Sequence, residues 1–166
     1  MPERERTLLL IEDNLDEEEL VVRVLRKGNI RNPIVVCRDG AAALDYVFGT
    51  GKYTERNAAD FPGITLLDLK LPKIDGLTVL KRIRADERTR LMPVVVFTSS
   101  DQEADIVRCY ESGANSCVRK PIEFDQYVDA VNRIGSYWLH LNGLPSGWAE
   151  RREAGAGPGQ TLNSKL

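Results

Sequence analysis

Histidine and net charge are both scarce in this 166-residue chain: it holds one His, and 23 Lys+Arg against 25 Asp+Glu leave a formal charge of −2. The basic excess that non-specific binding to a phosphate backbone requires is missing, which argues against a nucleic-acid partner. Cysteine is sparse too. Cys37, Cys109 and Cys117 make an odd count without CxxC spacing, which fits reduced thiols rather than a disulfide framework or a zinc site. No apolar run approaches the roughly 20 residues of a membrane span, and the apolar part of MPERERTLLLIED is too short for a secretory signal. The expected location is therefore cytoplasmic, without membrane contact. What is present suffices for a core: 42% of residues are hydrophobic and 29% charged, over a length that suits one domain, or one domain with a tail.

Apolar, β-branched runs alternate with amphipathic stretches five times, the pattern of parallel strands joined by helical crossovers. The strands read as Thr7 to Ile11, Ile34 to Cys37, Ile64 to Leu69, Val94 to Thr98 and Ser116 to Arg119. Most are continuously apolar, as expected when helices cover both faces of a sheet. Helices read as Leu15 to Lys27, Ala41 to Phe48, Leu77 to Arg84, Gln102 to Glu111 and Glu123 to Leu141. Acids Asp16 to Glu19 favour the first turn of the first helix through its dipole, and Gly28 marks its end. The fold class is thus α/β, a (βα)5 parallel sheet spanning residues 6–142. A long polar connection runs from Gly49 to Gly63, and the Gly-rich segment 143–166 reads as a flexible tail.

In open parallel sheets, ligands bind beyond the carboxyl ends of the strands. Those ends carry Glu12 and Asp13, Asp68, Thr98 and Ser99, and Lys120 followed by Pro121. Each pair of carboxylates about 4 Å apart costs roughly 4 kcal/mol at an effective dielectric of 20, so cations must join them. Lys120 supplies one positive charge and a divalent ion the other two. Hard oxygen donors that leave room for water suit Mg²⁺ better than zinc. A phosphoryl group reaching Asp68 would meet a metal, an ammonium, a hydroxyl and strand-end amides, the equipment of phosphoryl transfer. Asp13 also reads as a cap for the first helix, alone or with Asn14.

These segments, Glu12-Asp13, LLDLKLPKIDG around Asp68, FTSS with Thr98 and RKP with Lys120, resemble the receiver domain of bacterial two-component response regulators. The resemblance implies a flavodoxin-like doubly wound sheet of strand order 2-1-3-4-5. It implies that Asp68 accepts a phosphoryl group from the phosphohistidine of a sensor histidine kinase. Asp13, Asp68 and the Lys70 carbonyl would ligate Mg²⁺, with Glu12 acting directly or through water. Thr98 would hydrogen-bond the acyl phosphate, Lys120 would pair with its oxygens, and a cis peptide would precede Pro121. Two departures stand out. Cys117 occupies the position three before the lysine where receivers usually carry Tyr or Phe, and a small thiol cannot fill the cavity that such a ring would take in the usual threonine–aromatic coupling. Lys70, a cation two residues after the acceptor, is expected to alter the lifetime of the aspartyl phosphate.

With about 25 residues after the last helix, the chain reads as a stand-alone receiver, and its long connection, VVVFTSS strand and SYWLHLN ending resemble small receivers that partner phytochrome-type kinases. The last helix, about 28 Å long at 1.5 Å per residue, would overhang the sheet. Its final turns carry Ile134, Tyr137, Trp138, Leu139 and Leu141, which points to a symmetric homodimer there, involving the fourth and fifth strands; the alternative is that Trp138 packs on its own core. His140 reads as a surface residue, so the chain is an acceptor rather than its own phosphohistidine donor. Two other functions compete: a phosphohydrolase with an aspartyl nucleophile, which normally needs a second acid where Lys70 stands and a cap over its pocket, and a degenerate receiver that only binds. The switch is not expected to be an enzyme on free metabolites; it would catalyse only its own phosphorylation and dephosphorylation.

Overall fold

The structure, a computed structural model, describes residues 6–56 and 60–144. Five parallel strands, β1 (Leu8–Ile11), β2 (Ile34–Cys37), β3 (Ile64–Leu67), β4 (Val94–Thr98) and β5 (Ser116–Arg119), lie in the order β2-β1-β3-β4-β5. Five helices cover them: α1 (Leu15–Lys27), α2 (Gly40–Phe48), α3 (Gly76–Ala85), α4 (Glu103–Glu111) and α5 (Phe124–Ser136). The three interior strands are buried along their whole length, whereas the edges β2 and β5 are half-exposed. That gradient explains why the interior runs ITLL and VVVFT are continuously apolar.

Strand alternation divides the core in two. Leu9, Ile11, Leu67, Val94 and Val96 pack with α2 and α3, while Leu8, Leu10, Leu66, Val95 and Phe97 pack with α1 and α5. The register pairs Ile11 with Cys37 and with Leu67, Leu67 with Val96, and Thr98 with Arg119, so the carboxyl ends of all five strands share one rim. Among the described residues no helix is long and apolar enough to cross a membrane.

Local chemistry sets the helix starts. Asn14, not Asp13, caps α1: its side chain accepts from Asp16 N at 3.0 Å and Glu17 N at 3.1 Å. Asp39 and Asp75 cap α2 and α3 in the same way, through Ala42 N at 2.7 Å and Thr78 N at 2.9 Å.

Three expectations are corrected. β3 ends at Leu67, two residues early, because Asp68 and Leu69 bend into the loop that Gly76 closes through Leu69 O at 2.8 Å. The described residues contain no cis peptide, so the Lys120–Pro121 bond is trans, the isomer an X-Pro amide still prefers by about 0.5–1 kcal/mol. The last helix is not one α-helix to Leu141: α5 stops at Ser136 and a wider π-helical turn runs from Tyr137 to Leu141. The change falls at the Gly135-Ser136 pair, a composition that distorts helices, where Leu25 of α1 packs so closely that a Cβ on Gly135 would come within 2.6 Å of it. The wide turn buries Leu139 and packs Trp138 against the molecule's own core, leaving Tyr137 and Leu141 exposed. Of the connection from Gly49 to Gly63, residues 51–53 form a short 3-10 turn and 57–59 lie outside the description, as do residues 145–166 of the expected tail.

Candidate functional site

The rim is stitched together by main-chain bonds that continue the sheet past its strands. Asp68 N donates to Ile11 O at 3.1 Å, which sets Asp68 beside Glu12, and Lys120 N donates to Thr98 O at 2.7 Å, which sets Lys120 beside Thr98. One acceptor oxygen from each of Glu12, Asp13 and Asp68 lies within 4.8 Å of the others. All the acids expected at the strand ends therefore converge.

Lys120 is the counterion. Its ammonium donates to Glu12 Oε2 at 3.0 Å, to Glu17 Oε2, and stands 3.5 Å from Asp68 Oδ2. It is almost wholly buried, as is Glu12, whereas Asp68 is partly open and Asp13 faces solvent. Burial alone would lower the lysine; Glu17, Asp68 and Glu12 outweigh it and hold the ammonium well above its ordinary range. Burial pushes Glu12 up to about 7, against the opposing pull of Lys120 and with help from Asp68. Asp68 is raised as well, by burial first, which Lys120 opposes and Glu17 reinforces. Three hard carboxylate donors at this spacing fit a divalent cation.

Thr98 is buried at the rim, where its hydroxyl accepts from Ser100 N at 3.1 Å and holds the turn after β4. The Ser100 hydroxyl in turn donates to Asp105 of α4, linking that turn to the helix. Lys70 is exposed, two residues beyond Asp68. Cys117 is half-buried on β5 and makes a thiol contact with fully buried Cys109 of α4. Its main-chain N–H donates to the Tyr110 hydroxyl at 3.3 Å, so an aromatic ring from α4 covers the sheet edge beside the position where sequence reasoning found none. Exposed His140 lies in the π-helical turn.

Sequence reasoning missed Glu17 and Tyr127. In the sequence Glu17 is one of four acids favoured by the helix dipole, and nothing in its spacing distinguishes it from its neighbours. Tyr127, from α5, is buried against Phe97 with ring centroids 5.4 Å apart, and its hydroxyl has no hydrogen-bond partner among the described residues. Phe97 also lies under the Lys120 ammonium, 5.7 Å from ring centroid to nitrogen.

Comparison with known proteins agrees with this geometry. The family model described as "Response regulator receiver domain" matches residues 8–132. The probable methanogenesis regulatory protein FilR2 of Methanothrix harundinacea is 39% identical over 83% of this chain and 86% of its own. The response regulator Rcp1 of Synechocystis is 34% identical over 85% of this chain and 94% of its own. The crystal structure of Mn(2+)-bound Rcp1 superposes with a TM-score of 0.78 over 85% of this chain and 99% of that one. The bacteriophytochrome response regulator AtBRR is 47% identical, with a TM-score of 0.66 over 83% of this chain and 98% of its own. With the sheet order, the acid-rich rim and these matches in agreement, the chain belongs to the response regulator receiver domain family.

Proposed function

We propose that Asp68 accepts a phosphoryl group from the phosphohistidine of a sensor histidine kinase, and that the acyl phosphate changes what this chain binds. In that step a bond from Asp68 Oδ to phosphorus forms, the N–P bond of the donor breaks, and the departing imidazole takes up a proton. Hydrolysis later returns the carboxylate and inorganic phosphate. The observation that carries the reading is the placement of Asp68: a partly open carboxylate 3.5 Å from a buried ammonium, with oxygens of Glu12 and Asp13 converging on it.

Glu12, Asp13, Asp68 and the Lys70 carbonyl would hold a divalent cation, with Mg²⁺ the ion expected. When bound, that ion neutralises charge gathering on the phosphoryl oxygens. Lys120 supplies a second positive group, and Thr98 a hydroxyl donor whose proton stays available while its oxygen accepts from Ser100 N. Positioning and neutralisation are most of what phosphoryl transfer asks of a protein. The chain acts on itself rather than on a free metabolite, and no nucleic-acid contact is part of this reading.

Likeness to a bacteriophytochrome response regulator supports a phytochrome-type kinase as the donor. For the change in binding, self-association through the end of α5 is the reading favoured by the exposed Tyr137 and Leu141 there. A monomer in sedimentation at tens of micromolar, with and without a phosphoryl mimic, would count against it.

Titration with Mg²⁺ followed by acetyl phosphate tests the site. The switch reading expects saturable metal binding and one label per chain that decays slowly. Repeated turnover of acetyl phosphate without retained label would indicate a hydrolase, and absence of both would indicate a binding module.

A further inference from the structure

Lys120 divides its three protons unequally. Glu12 and Glu17 take the shorter contacts, and Asp68 is left with the longest, 3.5 Å, at the limit of a hydrogen bond. Glu17 does not come from a strand end like the other acids. It projects from the first turn of α1, with its side chain 31% exposed against 5% for Lys120.

A glutamate at this third helical position commonly reaches back to the main-chain N–H of the capping residue. Here that N–H, on Asn14, donates to Glu12 Oε1 at 3.1 Å instead, which releases Glu17 from capping. Its neighbours in the same turn face other cations: Glu18 accepts from Arg38 at 2.9 and 3.1 Å, and Glu19 pairs with Arg23. Of these three glutamates, only Glu17 turns onto the site.

We propose that Glu17 is a positioning residue for phosphoryl acceptance: it holds Lys120 back from Asp68, and the arriving phosphoryl oxygens must take the ammonium from it. The inference rests on Asp68 being the phosphoryl acceptor. A charge-assisted pair has to break before Lys120 is delivered, and the carboxylate that it leaves adds to the field opposing an anionic donor. Glu17 thereby restrains acceptance, and removing it should make the site easier to load.

The test compares Glu17→Gln, Glu17→Asp and Glu18→Gln in the full chain. Glu17→Gln and Glu18→Gln remove the same charge from the same turn; Glu17→Asp keeps the charge but is too short to hold Lys120. Beryllofluoride affinity in saturating Mg²⁺ is measured by calorimetry, and the Lys120 side-chain nitrogen resonance is recorded in metal-free protein. Glu17→Gln should bind beryllofluoride roughly fivefold tighter, Glu17→Asp should share the direction, and Glu18→Gln should stay within about twofold of wild type. The Lys120 resonance should shift in both Glu17 variants and stay put in Glu18→Gln. An unmoved resonance in Glu17→Gln, affinity equal to wild type, or a Glu18→Gln response matching that of Glu17→Gln would overturn the proposal. Failure of the underlying reading looks different: the wild type itself would bind no beryllofluoride, and the proposal would fall with it.

Discussion

Gly76 lies against the main chain of Asp68 so closely that a Cβ there would come within 2.3 Å of the Asp68 carbonyl oxygen and 2.7 Å of Leu69 Cα. The glycine that opens α3 is therefore required by the candidate acceptor rather than by helix formation. Gly40 plays the matching part on the other side of the loop, where a Cβ would meet Ile74 O at 1.9 Å. Two helix starts thus clamp the segment that carries Asp68, and neither tolerates a side chain.

Gly76→Ala should cost about 1–3 kcal/mol of stability through overpacking against backbone. It should also weaken divalent-metal binding, because the loop holding Asp68 must move. Urea unfolding and metal titration of the variant check both effects; unchanged values for both would mean that the loop yields freely.

Stability should depend on pH through Glu12. Burial raises its folded value to about 7 from an ordinary 4.5. An acid raised on folding contributes stability in full below its unfolded value and loses it as pH rises through the folded one. Metal-free protein should accordingly lose stability between about pH 4.5 and 7 from this group, with Asp68 adding in the same direction. Glu12→Gln should flatten that slope. Metal affinity should run the other way, increasing with pH as the competing proton leaves. Melting curves across this range, with and without divalent cation, separate the two trends.

Much of this arrangement is legible in the sequence because its causes are local. Runs such as ITLL and VVVFT announce buried strands, and Gly49 ends α2 in the left-handed conformation that glycine adopts freely, whereas after α1 it is Asn29 rather than Gly28 that turns left-handed. The site acids are visible because a carboxylate directly after LLLI or ITLL has no structural reason to be there. What escapes depends on distant packing. The room for no more than a glycine at 135 is set by Leu25, more than a hundred residues earlier, and the inward turn of Glu17 is toward a lysine at the far end of the domain. Asn14 rather than Asp13 caps α1, a choice between adjacent good cappers that composition does not decide.

Arg84 should prove a main structural support of the α3–β4 side. Its guanidinium donates to Gly113 O at 2.8 Å, Arg90 O at 2.9 Å, Met92 O at 2.7 Å and Asn115 Oδ1 at 2.9 Å. All four acceptors are neutral, and burial lowers its pKa from the ordinary arginine value. Arg84→Met leaves partly buried acceptors without donors and should cost about 2–3 kcal/mol. Chemical denaturation measures it, and a loss within experimental error would show that water replaces the arginine.

Lys70→Asn should change the lifetime of the aspartyl phosphate, since it removes an exposed cation two residues from Asp68. Decay of the label followed by phosphate release reports this directly, and identical decay in the two proteins would remove Lys70 from the account.

Mass spectrometry after incubation with a phosphorylated histidine kinase and Mg²⁺ puts the central claim to its most direct test. Wild type should gain one phosphoryl group, mapped to Asp68, while Asp68→Asn should gain none. A label on another residue, or equal labelling of the two proteins, would contradict it.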